Sequence, residues 1–357
     1  MSAPVAVRYA RWDGIGRPFV VVPATTPAVP GRGEVLVRID LATVCGSDLH
    51  SVTGRRPTPA PGVLGHEQVG TVLAVGEGAP TCVDGSPVVP GRRVVWSVTA
   101  ACGTCARCTR GMTQKCRRLR KYGHEPLDGA APLTGGFATH CVLLPGTAIV
   151  EVPDDVPDVV ASPASCATAT VAAVLRAGGE LTGRRVLITG AGMLGVTAVA
   201  MAATAGARVV AVDPDPVRRE RAVRFGAHEV TADAAGTEPV DVAVELSGVP
   251  SAVAACLEAL DVGGVAVLAG SVSPGDPVPM DPERLVRGLH TVVGVHNYGP
   301  ADLRDAMDFL AAHHRRYPFA ELVGGPFALD DLDRAIVAAR AGTAPRQAVA
   351  PGPVRAG

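Results

Sequence analysis

The stretch Gly190-Ala191-Gly192-Met193-Leu194-Gly195 constrains this chain more than any other. It reads G-x-G-x-x-G, with the apolar, β-branched run Arg185 to Thr189 before it and the small apolar run Val196 to Ala205 after it. Alone, such a glycine pattern is a weak signal. A strand, the glycines and a helix in that order open a βαβ unit that binds a dinucleotide. Gly190 permits the tight turn, Gly192 lets backbone approach a pyrophosphate, and Gly195 lets helix and strand pack closely. The phosphates then rest on the free N–H groups where the helix begins, around Met193 and Leu194. A second strand, Arg208 to Val212, ends at Asp213, at about the spacing of an acid that bonds a ribose 2′-hydroxyl. The competing reading is an ordinary βαβ turn with a surface aspartate.

The surrounding texture extends this unit. Strand-like runs at 185–189, 208–212, 240–246, 264–269 and 291–295, with a short one near Glu229, alternate with helical stretches at 216–225, 250–260 and 281–288. That is a six-strand doubly wound sheet. Ser162 to Ala177 reads as one Ala-rich helix. Residues 1 to about 150 read as β-rich, and the texture changes from about 155: Glu34 to Asp40, Val69 to Val75, Val94 to Ser97 and Ala138 to Leu144 lie beside Gly/Pro turns, as in a barrel or sandwich. After about 296 the texture is mixed. Ala301 to His313 and Leu329 to Ala341 are helical, Gly342 closes the second, and the tail from Pro351 reads as frayed. A length of 357 residues suggests two domains.

Composition narrows the class. With 47% apolar and 19% charged residues the chain has ample core, and a net charge of −1 gives no global field for nucleic acid or an anionic membrane. Met1 to Tyr9 lacks the apolar core of a signal peptide and no run reaches transmembrane length, so a cytoplasmic location is expected. The nine cysteines there suit metal binding or core packing better than disulfides.

Two constellations use most of them. Cys102, Cys105, Cys108 and Cys116 follow one another at short spacing, with Gly103 and Gly111 to bend the chain. Four thiolates in one loop suit a closed tetrahedral zinc site, with an iron–sulfur cluster as the minor alternative. Arg107, Arg110, Arg117 and Arg118 mark that loop as surface, against a core reading. The second constellation is Cys45-Gly46-Ser47-Asp48-Leu49-His50 followed by Gly65-His66-Glu67. Cys45 and His66 can supply two ligands of an open zinc site, and a third must come from further along. Cys166 is the candidate, although a single cysteine in an Ala-rich helix is usually a small core residue. His124, in a loop beside Glu125, is a further candidate for lining a cleft.

With these pieces in place the chain resembles the zinc-containing medium-chain alcohol dehydrogenases over nearly its whole length. The most specific marks are Gly65-His66-Glu67, the four-cysteine loop, Gly135-Gly136-Phe137-Ala138 and the Gly190–Gly195 loop, in family order. The resemblance implies an α/β fold: a Rossmann doubly wound parallel sheet at 156–295, inserted in a β-rich, GroES-like catalytic domain formed by 1–155 and 296–357. It implies two zinc ions and NAD per chain, with a homodimer or homotetramer as the assembly. By the same resemblance Cys45, His66 and Cys166 hold the catalytic zinc, and Cys102, Cys105, Cys108 and Cys116 the structural one. Glu67 stands behind the catalytic zinc or ligates it transiently, and Asp48 orients His66. Ser47 bonds the substrate oxygen and His50 ends the proton relay. Thr170 lies beside the nicotinamide, Asp213 selects NAD, Arg218 lies near the adenosine ribose and Arg346 near the pyrophosphate. Gly46 departs from relatives that place a basic residue there against the phosphates. The Cys166 and Gly190 regions are also similar to a bacterial subgroup of alcohol dehydrogenases proposed for phosphonate pathways, a likeness on which no substrate is built.

The implied chemistry is hydride transfer between a primary or secondary alcohol, or its carbonyl, and NAD. The alternatives are an enzyme of this fold that uses bound NAD transiently, of cyclase or epimerase type, and a non-catalytic nucleotide-binding relative. A zinc-free reductase would lack Cys45 and the His66-Glu67 pair. The substrate is a small molecule, with phosphorylated, cyclitol, polyol and simple alcohols all open.

Overall fold

A computed structural model describes residues 3–78, 80–127 and 133–352, so the end of the tail, 353–357, lies outside the described residues. The chain forms two compact units: Met1–Cys166 with Gly299–His314 and Phe319–Gly357, and Ala167–Tyr298 with Arg315–Pro318.

The second unit is a Rossmann fold. Its six strands lie in the order Glu229–Thr231, Arg208–Val212, Arg185–Thr189, Val240–Glu245, Leu260–Leu268 and Thr291–Gly294, all parallel. Covering both faces of a parallel sheet demands strands apolar throughout, and Val186, Leu187, Ile188, Val209, Val210 and Val244 are all buried. The glycine loop closes as expected. Gly190 has φ +86°, in the left-handed region, and a Cβ on Gly195 would fall 1.7 Å from the Gly190 carbonyl oxygen. The helix Met193–Thr204 starts beyond Gly192, whose missing side chain faces open space.

The first unit is mostly antiparallel. Its main sheet runs Val323–Ala328, Arg346–Ala350, Val35–Val44, Glu67–Val75, Arg93–Ala100, Arg120–Lys121, with His140–Leu143 and Thr147–Glu151 pairing off that path. A smaller sheet joins Val20–Thr26, Val5–Trp12 and Gly62–Val63. One core, including Trp96, Phe137, Ile39 and Leu143, fills the space these strands enclose.

Two expectations need correction. Ser162 to Ala177 is not one helix. A 3₁₀ turn, Ser162–Ser165, precedes the helix Ala167–Gly178, and Cys166 between them is non-helical at φ −130° and ψ −66°. The cause is tethering: Ser162 Oγ donates to the Glu67 carbonyl (3.1 Å) and Ser165 Oγ to the His66 carbonyl (3.3 Å). The same tethers keep the chain in the first unit until Cys166, later than the change of texture near 155 suggests.

Candidate functional site

Strand register assembles the first cluster. Thr43 pairs with Glu67, and Gln347 pairs with Val44, so Cys45, His66 and Arg346 meet where three strands end. The serine-tethered turn then delivers Cys166. The Cys45 and Cys166 sulfurs lie 4.0 Å apart, and these two with a His66 nitrogen all fall within 4.8 Å of one another. Tetrahedral zinc, with bonds of about 2.3 Å, holds paired sulfurs roughly 3.8 Å apart. The donor set therefore fits zinc held by three protein ligands.

The groups around it are held firmly. Cys45 caps the helix Gly46–Val52, and Asp48 in its first turn accepts from the Cys45 N–H (2.9 Å) and the Gly65 N–H (3.3 Å). Its Oδ1 also faces His66 Nδ1 at 3.5 Å, which orients the ring and leaves Nε2, where Ser47 Oγ lies 3.0 Å away. Burial opposes charge on His66, yet Asp48 and Cys45 together push it up to about 10. The Cys45 thiol is lowered by its hydrogen bond from Cys166, with help from Arg346 and His66, and Cys166 is correspondingly raised. Cys45 is thus the readier thiolate.

Arg346 was expected near a pyrophosphate. It is buried, and its guanidinium grips Glu67 with Nε at 2.7 Å and Nη2 at 2.9 Å, while Nη2 also reaches Cys45 Sγ at 3.5 Å. Thr43 Oγ1 donates to the same carboxylate at 2.8 Å. Burial pushes the Glu67 carboxyl up to about 7 against the pull of Arg346. Ser47 and His50 sit one turn apart on the same helix, and among the described residues no hydrogen bond joins them directly. His50 is lowered by burial and by Arg55.

The four-cysteine loop also closes on itself. Cys105 Sγ lies 3.5 Å from Cys108 and 4.0 Å from Cys116, and Cys116 lies 3.4 Å from Cys102. The N–H groups of Cys102, Arg117 and Arg118 point at these sulfurs. Four sulfurs at tetrahedral spacing with backbone donors around them fit a structural zinc.

In the second unit, Asp213 is buried at the head of the glycine loop. Its Oδ2 accepts from the Ala191 N–H at 2.8 Å and its Oδ1 from the Asp215 N–H at 3.0 Å. Arg218 pairs loosely with Asp213 (3.7 Å) and Asp215 (3.6 Å). Thr170 lies in the first turn of Ala167–Gly178. The space at Gly192 is open and lies beside the first N–H groups of the helix Met193–Thr204, within one βαβ unit.

Sequence reasoning missed Arg56 and Lys121 and left His124 as a minor candidate. The His124 ring centroid lies 5.3 Å from that of His66, and Arg56 Nη1 lies 3.2 Å from His124 Nε2.

Comparisons with known proteins agree with this geometry. Residues 31–154 match the alcohol dehydrogenase GroES-like domain, and residues 194–312 match the zinc-binding dehydrogenase domain. The chain is 30% identical over 338 residues to 5-exo-hydroxycamphor dehydrogenase of Pseudomonas putida, covering 88% of this chain and 90% of that one. It is 31% identical over 333 residues to L-threonine 3-dehydrogenase of Anaeromyxobacter dehalogenans, covering 87% and 89%. An alcohol dehydrogenase structure from Thermotoga maritima superposes with a TM-score of 0.90 at 25% identity, covering 98% and 100%. The chain belongs to the zinc-containing medium-chain alcohol dehydrogenase family. It is an oxidoreductase that interconverts a small-molecule alcohol and its carbonyl, and zinc and a nicotinamide cofactor come with that membership.

Proposed function

We propose that this enzyme oxidises a primary or secondary alcohol with NAD, or runs the reverse reduction, at Cys45, His66 and Cys166. The observation that carries the proposal is the three-ligand cluster with Ser47 and Glu67–Arg346 around it. Zinc there supplies Lewis acidity toward the alcohol or carbonyl oxygen. Gly190, Gly192, Met193, Leu194 and Gly195 would hold NAD, which would supply the hydride acceptor.

The protein's own residues do the rest. Asp48 lies beside His66 Nδ1 and so leaves Nε2 as the nitrogen to face the metal. Ser47 Oγ accepts the substrate hydroxyl proton while giving up its own. His50, one turn further along the same helix and lowered by burial and Arg55, is the proposed outer end of that relay. Arg346 neutralises Glu67, so the buried carboxylate does not repel the thiolates beside it. Thr170, Asp213 and Arg218 are proposed cofactor contacts.

Among the described residues the strand Thr291–Gly294 ends the parallel sheet with one edge unpaired, and Val262, Val286 and Leu289 near it are largely exposed. An unpaired edge beside apolar surface supports a homo-oligomer. No single helix among the described residues is long and apolar enough to cross a membrane, and the free cysteines support a reducing, cytoplasmic setting.

A broad screen of alcohols and aldehydes, followed by NADH absorbance, tests the reading. Multiple-turnover release of NADH is expected. NADH formed once and retained would indicate a transient, internal use of the cofactor.

A further inference from the structure

Among the described residues, two cations beside the mixed sulfur–imidazole cluster have no carboxylate partner. Arg56 donates to His124 Nε2, a ring whose Nδ1–H is spent on the Tyr122 carbonyl at 2.9 Å, so His124 holds the guanidinium in place without neutralising it. Lys121, one of the chain's two lysines, ends a strand beside the same loop. Its ammonium is mostly buried and stands in the field of Arg56 and of Cys166 and Cys45. The nearby carboxylate is already used: Glu125 Oε2 takes Arg120 at 2.6 Å and Oε1 takes the Lys121 backbone N–H at 2.7 Å. Among the described residues no carboxylate pairs with Arg56 or with the Lys121 ammonium.

The rest of the site does not absorb this charge. Two thiolates balance a bound zinc, Arg346 balances Glu67, and Asp48 is spent on two backbone N–H groups and His66. Elsewhere the chain pairs its shielded arginines, as in Arg346–Glu67, Arg185–Glu229 and Arg93–Asp158. Unpaired, shielded cations are costly, and the cost is offset when an anion arrives with the ligand.

We infer that the alcohol this enzyme takes carries an anionic group, a carboxylate or a phosphoryl group, which Arg56 and Lys121 bind while the hydroxyl lies at the Cys45–His66–Cys166 cluster. This rests on reading that cluster as the dehydrogenase site. The anion then sets which end of the substrate faces the metal, and a neutral alcohol of the same size leaves both cations without a carboxylate or phosphoryl partner.

Matched pairs test the inference: β-hydroxybutyrate against its methyl ester in oxidation, and dihydroxyacetone phosphate against dihydroxyacetone in reduction. The expected result is a kcat/KM at least about tenfold higher for the anionic member of one pair, which also tells carboxylate from phosphoryl. Lys121→Met should cut that ratio by about tenfold or more, while Lys121→Arg preserves it. Calorimetric titration with β-hydroxybutyrate and with inorganic phosphate should show the same order of the three proteins without turnover. A wild-type preference for the neutral member of both pairs, or an unchanged ratio in Lys121→Met, overturns the inference while leaving the dehydrogenase reading intact. Absence of turnover with every alcohol and carbonyl tried overturns both.

Discussion

The two cysteine clusters use the same ligand chemistry for opposite ends. The four-cysteine loop takes every ligand from one short segment and surrounds the sulfurs with backbone N–H groups. The Thr104 backbone N–H, and then the Arg118 and Thr104 side chains, hold the Cys102 thiol down to about 5. Nothing there is placed to move a proton, and four sulfurs leave a metal no open position. The cluster at Cys45, His66 and Cys166 gathers its ligands from three distant segments and stops at three. Hydroxyl, carboxylate, guanidinium and imidazole groups crowd around it: Ser47, Glu67, Arg346 and His124. A metal site thus declares its role by what its ligands leave free and by what stands behind them.

Two substitutions pull the sites apart. His66→Ala should lower kcat/KM by at least about 10³-fold, the scale of losing a principal electrostatic stabiliser, and still bind NAD, because the glycine loop and Asp213 belong to the other unit. Steady-state rates and titration of NADH fluorescence measure the two properties. Equal loss of both in a folded variant would show the roles to be misassigned. Cys105→Ser should instead act on stability. Metal analysis should fall from two zinc ions to one, thermal unfolding should show a loss of several kcal/mol, and kcat of the folded fraction should fall by less than about tenfold. A wild-type protein that holds one zinc when fully loaded would end the two-site reading.

How much of this was legible in the sequence follows from the range of each interaction. The strand Arg185–Thr189 and the glycine loop are local patterns, and the four cysteines lie within one loop, so both could be read directly. The grip of Arg346 on Glu67 spans 279 residues and leaves no periodic trace. Its logic is visible only once Gln347 pairs with Val44. The break at Cys166 was hidden for a different reason. Alanine-rich sequence favours a helix, and two serine hydroxyls bonded to the backbone of a distant strand overrode that propensity. Arg56 and Lys121 drew no reading, and His124 was read only as a candidate for lining a cleft, because nothing in their order shows which charges will lack partners.

The smallest predicted effect concerns the second unit, and it sharpens the contrast between a residue that holds a ligand and one that selects it. Asp213 uses each carboxylate oxygen once, toward Ala191 and Asp215, and keeps a lone pair on each for ribose hydroxyls. The 2′-phosphate of NADP would meet that charge at close range. Two arginines stand against this. Arg219 is occupied, since its Nη1 donates to the carbonyls of Asp213 (2.8 Å) and Pro214 (2.9 Å). Arg218 is half exposed and shared between Asp213 and Asp215, which leaves it partly neutralised. The balance favours NAD by at least about tenfold in kcat/KM, roughly 1.4 kcal/mol of differential binding. Asp213→Ser keeps an acceptor for the Ala191 N–H, removes the repulsion and frees Arg218 for the phosphate, so it should erode the preference and raise NADP use. Comparing kcat/KM for both cofactors in the two proteins decides the matter. A wild type that uses both equally, or prefers NADP, would mean that Arg218 outweighs the carboxylate it pairs with.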